Sequence, residues 1–386
     1  MTGAATSISA TAIAGIGQTD FARDLGRDER ELALDAIARA LADAGVDGSE
    51  VDGLVRFDLE TTTEVEIARN IGAADLSFFA TLPYGGGAAC ATVALASMAV
   101  ATGRASVVVC WRSRNRGSGG RPWASTGNRV GGDFQYTAPY GLVRPVDQVA
   151  MLARRHMHEF GSTREQLGAV AVAFRAHAAR NPAAMQREPL AMADYLDARP
   201  VAEPLGKLDC CLESDGAVAV VVTSLERARD LRQPPVHILS SAQASGVQHT
   251  VMTDYYGPRL LQTPAAGAAK RLFDGTGVAP GDVDCAQFYD AFTPLVVFAL
   301  EEYGFAKPGR GAAMAASGAL AWPDGELPSN TSGGSLSEAY VHGMNLVTEG
   351  VRQIRGTSTS QVDGARVCLV SAGNAVPTSA LLLASP

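Results

Sequence analysis

The sequence predicts an α/β protein built from two related halves, and three observations predict it. The first is a long-range repeat. Gly45, Val51 and Asp52 recur as Gly277, Val283 and Asp284, each pair 232 residues apart. One spacing shared by a helix end, a glycine turn and a strand entry marks a duplicated α/β unit. The second is pattern: short, near-continuous apolar runs alternate with helical stretches, which implies sheets covered on both faces. The third is size. At 386 residues, 47% hydrophobic and 19% charged, the chain is globular, has about two to three domains' worth of length, and can bury a large core.

Taken in order, Leu32–Ala44 is an Ala/Leu-rich helix stopped by Gly45, and the apolar run Gly53–Phe57 follows. Gly85-Gly86-Gly87 opens a helix running to about Gly103, and Ala105–Cys110 is a buried strand. Residues 112–205 form a more polar insertion. Its Gly/Ser/Arg-rich start, Arg112–Arg129, reads as loop, while Gln148–Phe160 and Thr163–Asn181 carry helical periodicity. An insertion of this length is a place where a substrate site is roofed. Asp209–Val222 restores a core strand. In the second half Ala265–Phe273 is helical, Cys285–Phe288 enters a strand, Gly333-Gly334 precedes the helix Met344–Arg355, and Arg366–Val370 is a strand. The halves divide as 1–240 and 241–386.

Composition removes several function classes. The net charge of −8 argues against nucleic acid, whose binders present a basic face. No apolar run reaches the roughly 18 residues of a membrane helix. The start lacks a basic segment ahead of its short apolar stretch, so no secretory signal is expected and the protein reads as cytoplasmic. The six cysteines include no C-x-x-C pair and read as buried, reduced thiols. His156 and His158, two apart in a helical stretch, point to different sides. These two and His177 read as surface or helix-packing residues, and no metal site is expected.

Several segments together resemble a thiolase over essentially the whole chain. They are the opening strand Ala12–Phe21, the turn Ser214-Asp-Gly-Ala-Val-Ala219, Tyr289-Asp-Ala-Phe292 and Asn330-Thr-Ser-Gly-Gly334. The family's chemistry is nevertheless replaced. The nucleophilic cysteine's place falls on Gly86, with Cys90 one helical turn further on. The catalytic histidine's place falls on Tyr340, with His342 two residues later, and the second cysteine's place falls near Val370–Gly373. With Tyr84–Val93, Leu208–Gly216, Tyr289–Pro294 and Ala339–Asn345, this pattern resembles the lipid-transfer-protein branch of the thiolase superfamily. Within that branch it is similar to the actinobacterial aldolases that cleave the last side-chain fragment from a steroid.

The resemblance implies a thiolase fold, a layered α-β-α-β-α sandwich of duplicated halves with an inserted loop domain. It also implies retro-aldol cleavage of 17-hydroxy-3-oxopregn-4-ene-20-carboxyl-CoA to androst-4-ene-3,17-dione and propionyl-CoA. The implied partners are a second copy of the chain, in a homodimer, and the OB-fold domain of a steroid enoyl-CoA hydratase subunit. No cofactor is expected beyond the coenzyme A that the substrate carries. The chemistry agrees with the losses. Thiolysis must capture an acyl fragment and so requires a cysteine, whereas a retro-aldol releases a finished ketone and an enolate, needing only proton transfer and oxyanion donors.

Tyr289 and Tyr340 are therefore the expected acid/base pair. A basic tyrosine at pH 7 needs help of roughly 4 kcal/mol against a phenol pKa of about 10. His342, if protonated, is one source of that help, and Asp290 is expected to orient Tyr289 or a water. Gly86 is expected to make room for the steroid nucleus, with Cys90, Tyr255, Tyr256 and Gly373 also placed at the substrate site. Two other readings stand beside this one: a degenerate thiolase or other acyl-CoA lyase, and a non-catalytic lipid-CoA carrier.

Overall fold

Nine strands form one sheet in the computed structural model, which describes residues 10–119, 134–246, 262–374 and 377–386. In chain order they are β1 (Thr11–Gln18), β2 (Gly53–Phe57), β3 (Phe78–Leu82), β4 (Val107–Asn115), β5 (Asp215–Ser224), β6 (Val236–Ala244), β7 (Cys285–Gln287), β8 (Val367–Ala372) and β9 (Thr378–Ala384). Their order across the sheet is β3-β2-β4-β5-β1-β6-β9-β8-β7. The halves meet at a narrow seam, where Ala12 pairs with His237 and Ile13 with Val236. Counted outward from the seam, each half repeats the same pairings: β1–β5 and β6–β9 antiparallel, β5–β4 and β9–β8 antiparallel, β4–β2 and β8–β7 parallel.

The repeat has a physical basis in one aspartate per half. The Asp52 carboxylate accepts the backbone N–H groups of Ser106 at 2.9 Å and Val107 at 2.8 Å. The Asp284 carboxylate accepts those of Arg366 and Val367, both at 2.8 Å. Each carboxylate holds the first residues of the neighbouring parallel strand in register, meeting donors that no strand partner satisfies there.

Period-two alternation assigns the faces. Val108 and Cys110 of β4, with Val218, Val220 and Val222 of β5, face one apolar cluster, whereas Val107, Val109, Trp111, Ala217, Ala219 and Val221 face another. Burial on both faces explains the unbroken apolar runs. Helix α1 (Glu29–Ala44) starts in an Asp28/Glu31 capping box, ends at Gly45 with φ 73°, and lies on β1, β4 and β5. Helix α2 (Ala89–Ala101) touches strands of both halves.

The insertion contributes α3 (Pro145–Phe160) and α4 (Arg164–Ala178), the latter starting at the predicted Thr163 as its N-cap. Helix α5 (Ala265–Phe273) covers β6 and β9 from outside, α6 (Thr293–Glu302) follows β7, and α7 (Met344–Arg355) joins α2 between the half-sheets. The result is the expected α-β-α-β-α layering. Among the described residues no helix is long and apolar enough to cross a membrane.

Two boundaries differ from expectation. The glycine run Gly85–Ala88 is a tight 3₁₀ turn, and α2 begins only at Ala89. The core strand predicted from Asp209 begins at Asp215. The intervening backbone is drawn toward other loops, because Cys211 N–H donates to the Ala291 carbonyl at 2.9 Å and Leu212 N–H to that of Ser335 at 3.0 Å.

Candidate active site

Four loops converge beneath α4 at the end of the central layer. Asn330, in the left-handed region at φ 47°, binds Phe288 through both its side-chain atoms: Oδ1 accepts the backbone N–H and Nδ2 donates to the carbonyl, each at 2.8 Å. The amide thus behaves as a missing strand and fixes where Tyr289 leaves β7. The Tyr289 N–H donates to Ser371 Oγ at 3.0 Å, and the Tyr340 N–H to Ser214 Oγ at 3.0 Å. From above, His177 of α4 closes the arrangement. Its Nε2 accepts the Trp322 N–H at 2.9 Å while Nδ1 donates to the Asn330 carbonyl at 3.2 Å, and burial holds its pKa down at about 4. His177 is therefore a neutral clamp inside the fold.

The four anchors bring the two tyrosines together. Tyr289 Oη and Tyr340 Oη are 2.7 Å apart, and both side chains are buried. Burial raises both phenols, Tyr340 to about 12 and Tyr289 well above its ordinary value, so each carries its proton at neutral pH. Cys211 lies close enough to raise both further, while the Arg116 guanidinium pulls the other way from 5.4 Å over the Tyr340 ring.

The structure corrects four expectations. Gly86 lies against the pair, but the room it leaves is taken by Tyr289, because a Cβ at residue 86 would overlap the hydroxyl end of the phenol. Asp290 does not reach Tyr289. Its carboxylate accepts the Ser335 N–H at 2.8 Å and the Leu336 N–H at 3.1 Å, and it can approach because Gly334 has no Cβ. Asp290 thus caps the turn that leads to Tyr340, and burial raises it to about 6.

Cys90 is sealed inside α2, its Sγ 3.5 Å from the Val370 carbonyl and its thiol raised by burial, so it lines no site. His342 is neutral: burial, then Arg112, Arg116 and Arg114, push its pKa well below the usual histidine value. Gly373 sits at φ 70° in the turn just after β8, two residues past Ser371. Tyr255 and Tyr256 lie outside the described residues.

Sequence reasoning missed Glu60, Arg112 and Arg116. Arg112 Nη1 pairs with Glu60 Oε1 at 2.5 Å, Arg112 Nε donates to His342 Nδ1 at 2.8 Å, and neither side chain of the ion pair is exposed. The signal was present. Arg112, Arg114 and Arg116 alternate at the period of a strand, and β4 indeed continues to Asn115 where a loop was expected.

Comparison with known proteins agrees with this architecture. The family model "Thiolase C-terminal domain-like" matches residues 244–383. The chain is 48% identical to the 17-hydroxy-3-oxo-4-pregnene-20-carboxyl-CoA lyase of Mycobacterium tuberculosis over 96% of this chain and 98% of that protein. It is likewise 48% identical to a steroid side-chain-cleaving aldolase of Thermomonospora curvata, covering 97% of each. A solved structure described as the Ltp2-ChsH2(DUF35) aldolase superposes with a TM-score of 0.93 at 47% identity, covering 98% of both chains.

Proposed function

The chain belongs to the thiolase superfamily, in the branch of the steroid side-chain-cleaving aldolases, and from that premise we propose that it is a carbon–carbon lyase. Its substrate is 17-hydroxy-3-oxo-4-pregnene-20-carboxyl-CoA, the compound in the name of the mycobacterial relative. Breaking the C17–C20 bond yields the 17-ketone, androst-4-ene-3,17-dione, and propionyl-CoA.

The observation that carries the mechanism is the hydroxyl pair at 2.7 Å. The overall reaction only moves a proton: it leaves the 17-hydroxyl, and one arrives at C20. Two neutral phenols in hydrogen-bond contact can relay it. One accepts the hydroxyl proton as the other delivers its own to the enolate carbon, the shared hydrogen shifts between them, and both end neutral. No free tyrosinate is required, which suits a pair whose burial raises both pKa values. Thiolysis lacks its nucleophile here, since Cys90 is sealed in the core. The only coenzyme the reaction uses is the coenzyme A of the substrate.

The assembly proposed is a homodimer that also engages the OB-fold domain of a partner hydratase subunit. Edge strand β3 supports the first contact, with Phe79 65% exposed and Tyr84, just beyond it, 61% exposed. The two-component name of the solved relative supports the second. We place the protein in the cytoplasm.

A single-turnover assay with the steroid thioester, with and without the OB-fold partner, tests the reading. Equimolar 17-ketone and propionyl-CoA from wild type and Cys90→Ala, with one solvent deuterium at the propionyl α-carbon in D2O, is expected. Tyr289→Phe and Tyr340→Phe should each lose roughly 10²–10⁴-fold in rate. Full activity in both tyrosine variants refutes the relay. No turnover by the wild type with its partner refutes the substrate.

A further inference from the structure

We infer that His342 serves this site as a neutral hydrogen-bond donor through Nε2, aimed at the oxygen of the thioester enolate, and that Glu60 and Arg112 are the positioning residues that hold it in that form. The inference rests on the aldolase reading for its ligand, but its geometry stands apart from it.

The tautomer follows from donor chemistry. A guanidinium has five N–H donors and no acceptor. Because Arg112 Nε lies 2.8 Å from His342 Nδ1, Nδ1 must offer its lone pair, and the single proton of the neutral ring sits on Nε2. Adding a second proton would set Nδ1–H against Nε–H and place a cation among Arg112, Arg114 and Arg116. No described residue accepts a hydrogen bond from Nε2, although the ring is only 6% exposed. The edge of the ring meets Tyr340, with centroids 5.0 Å apart and planes at 75°.

The supports are unusually well built. Arg112 donates through Nη1 to Glu60 and to the Ser113 carbonyl at 2.8 Å, and it lies 5.4 Å over the Phe57 ring. Glu60 in turn accepts the Ser113 N–H at 2.8 Å and its hydroxyl at 2.5 Å. His342 stacks on Phe57 at 6.3 Å. A buried ion pair seldom stabilises a fold more than apolar residues of the same size, so a fully buried Glu60–Arg112 pair ending on a site imidazole points to a task there. The His342 backbone agrees. At φ 51° it is a non-glycine residue in the left-handed region, a strain of the kind found at functional sites.

The chemistry needs such a group. As C17–C20 breaks, negative charge gathers on the thioester oxygen. A donor that stays neutral stabilises it without surrendering a proton, leaving protonation to the carbon.

Nitrogen-15 NMR of histidine-labelled protein reads the tautomer directly. From pH 8 to pH 5.5, His342 should show an unprotonated Nδ1 and a protonated Nε2 throughout. The double variant Glu60→Gln/Arg112→Met leaves neither charge unpaired and should give a tautomer mixture that titrates in this range. In turnover, and in deuterium exchange at the α-carbon of propionyl-CoA, His342→Phe should lose roughly 10²–10³-fold in kcat with KM little changed. His342→Gln, which can accept from Arg112 and still donate, should recover part of it. A protonated Nδ1 in the wild type, or unchanged rates in His342→Phe, overturns the inference. The assigned tautomer in a wild type that fails to cleave the steroid thioester instead overturns the aldolase reading and upholds the tautomer.

Discussion

Gly86→Ala isolates the fit between the vacated nucleophile position and Tyr289. Gly86 lies outside the left-handed region, so a methyl group there meets no backbone penalty and its effect is purely steric. The hydroxyl oxygen, Cζ and Cε2 of Tyr289 all lie nearer to the added carbon than non-bonded atoms approach. Reaching an ordinary contact near 3.5 Å requires the ring to retreat by roughly 1–2 Å. That stretches the 2.7 Å hydroxyl pair beyond hydrogen-bond range, and a misplacement of about 1 Å in a catalytic group costs on the order of 10²-fold. Overpacking of this kind destabilises by about 1–3 kcal/mol. The assays are single-turnover cleavage and urea denaturation of Gly86→Ala, Tyr289→Ala and the double variant. Once Tyr289 is truncated the methyl should be tolerated, giving a coupling of about 1–3 kcal/mol in stability. Wild-type rate and stability in Gly86→Ala would show that Tyr289 does not occupy this space and would remove the structural basis of the relay.

Three further outcomes are expected. Cys90→Ala should retain the wild-type rate while losing about 1–2 kcal/mol of stability as a small core truncation; a dead but folded variant would restore a nucleophilic role. Asp290→Asn turns an amide toward one of the two N–H groups the carboxylate accepts. It should cost about 1–3 kcal/mol and lower kcat through the turn that carries Tyr340, whereas an effect on KM alone would contradict a positioning role. Glu338, buried among Ser332, Asn181 and Asn345, is raised to about 7 by burial. The folded form therefore holds its proton more tightly than the unfolded chain. Its contribution to stability is complete below about pH 4.5 and is lost as pH rises through 7, by about 3 kcal/mol in all. Denaturation at pH 5.5 and pH 8 should show about 2 kcal/mol of that loss in wild type and not in Glu338→Gln; equal slopes refute it.

The sequence by itself determined the architecture, the duplication and the tyrosine pair. Strand and helix periods are local properties, and Asp52 and Asp284 sit at matched spacings because each half uses the same carboxylate to set the same strand. Tyr289 and Tyr340 were legible because they occupy ordered positions within recognisable segments. What those residues do to one another was decided only in the tertiary structure. Whether Gly86 leaves space for a ligand or for a phenol depends on atoms 203 residues further along the chain. Asp290 beside Tyr289 in sequence says nothing of its carboxylate turning to Ser335 and Leu336 instead. The charge on His342 is likewise set by Arg112, 230 residues away, and by the exclusion of water around both. Hydrogen-bond direction and desolvation arise where distant segments meet, and no local pattern in the chain encodes them.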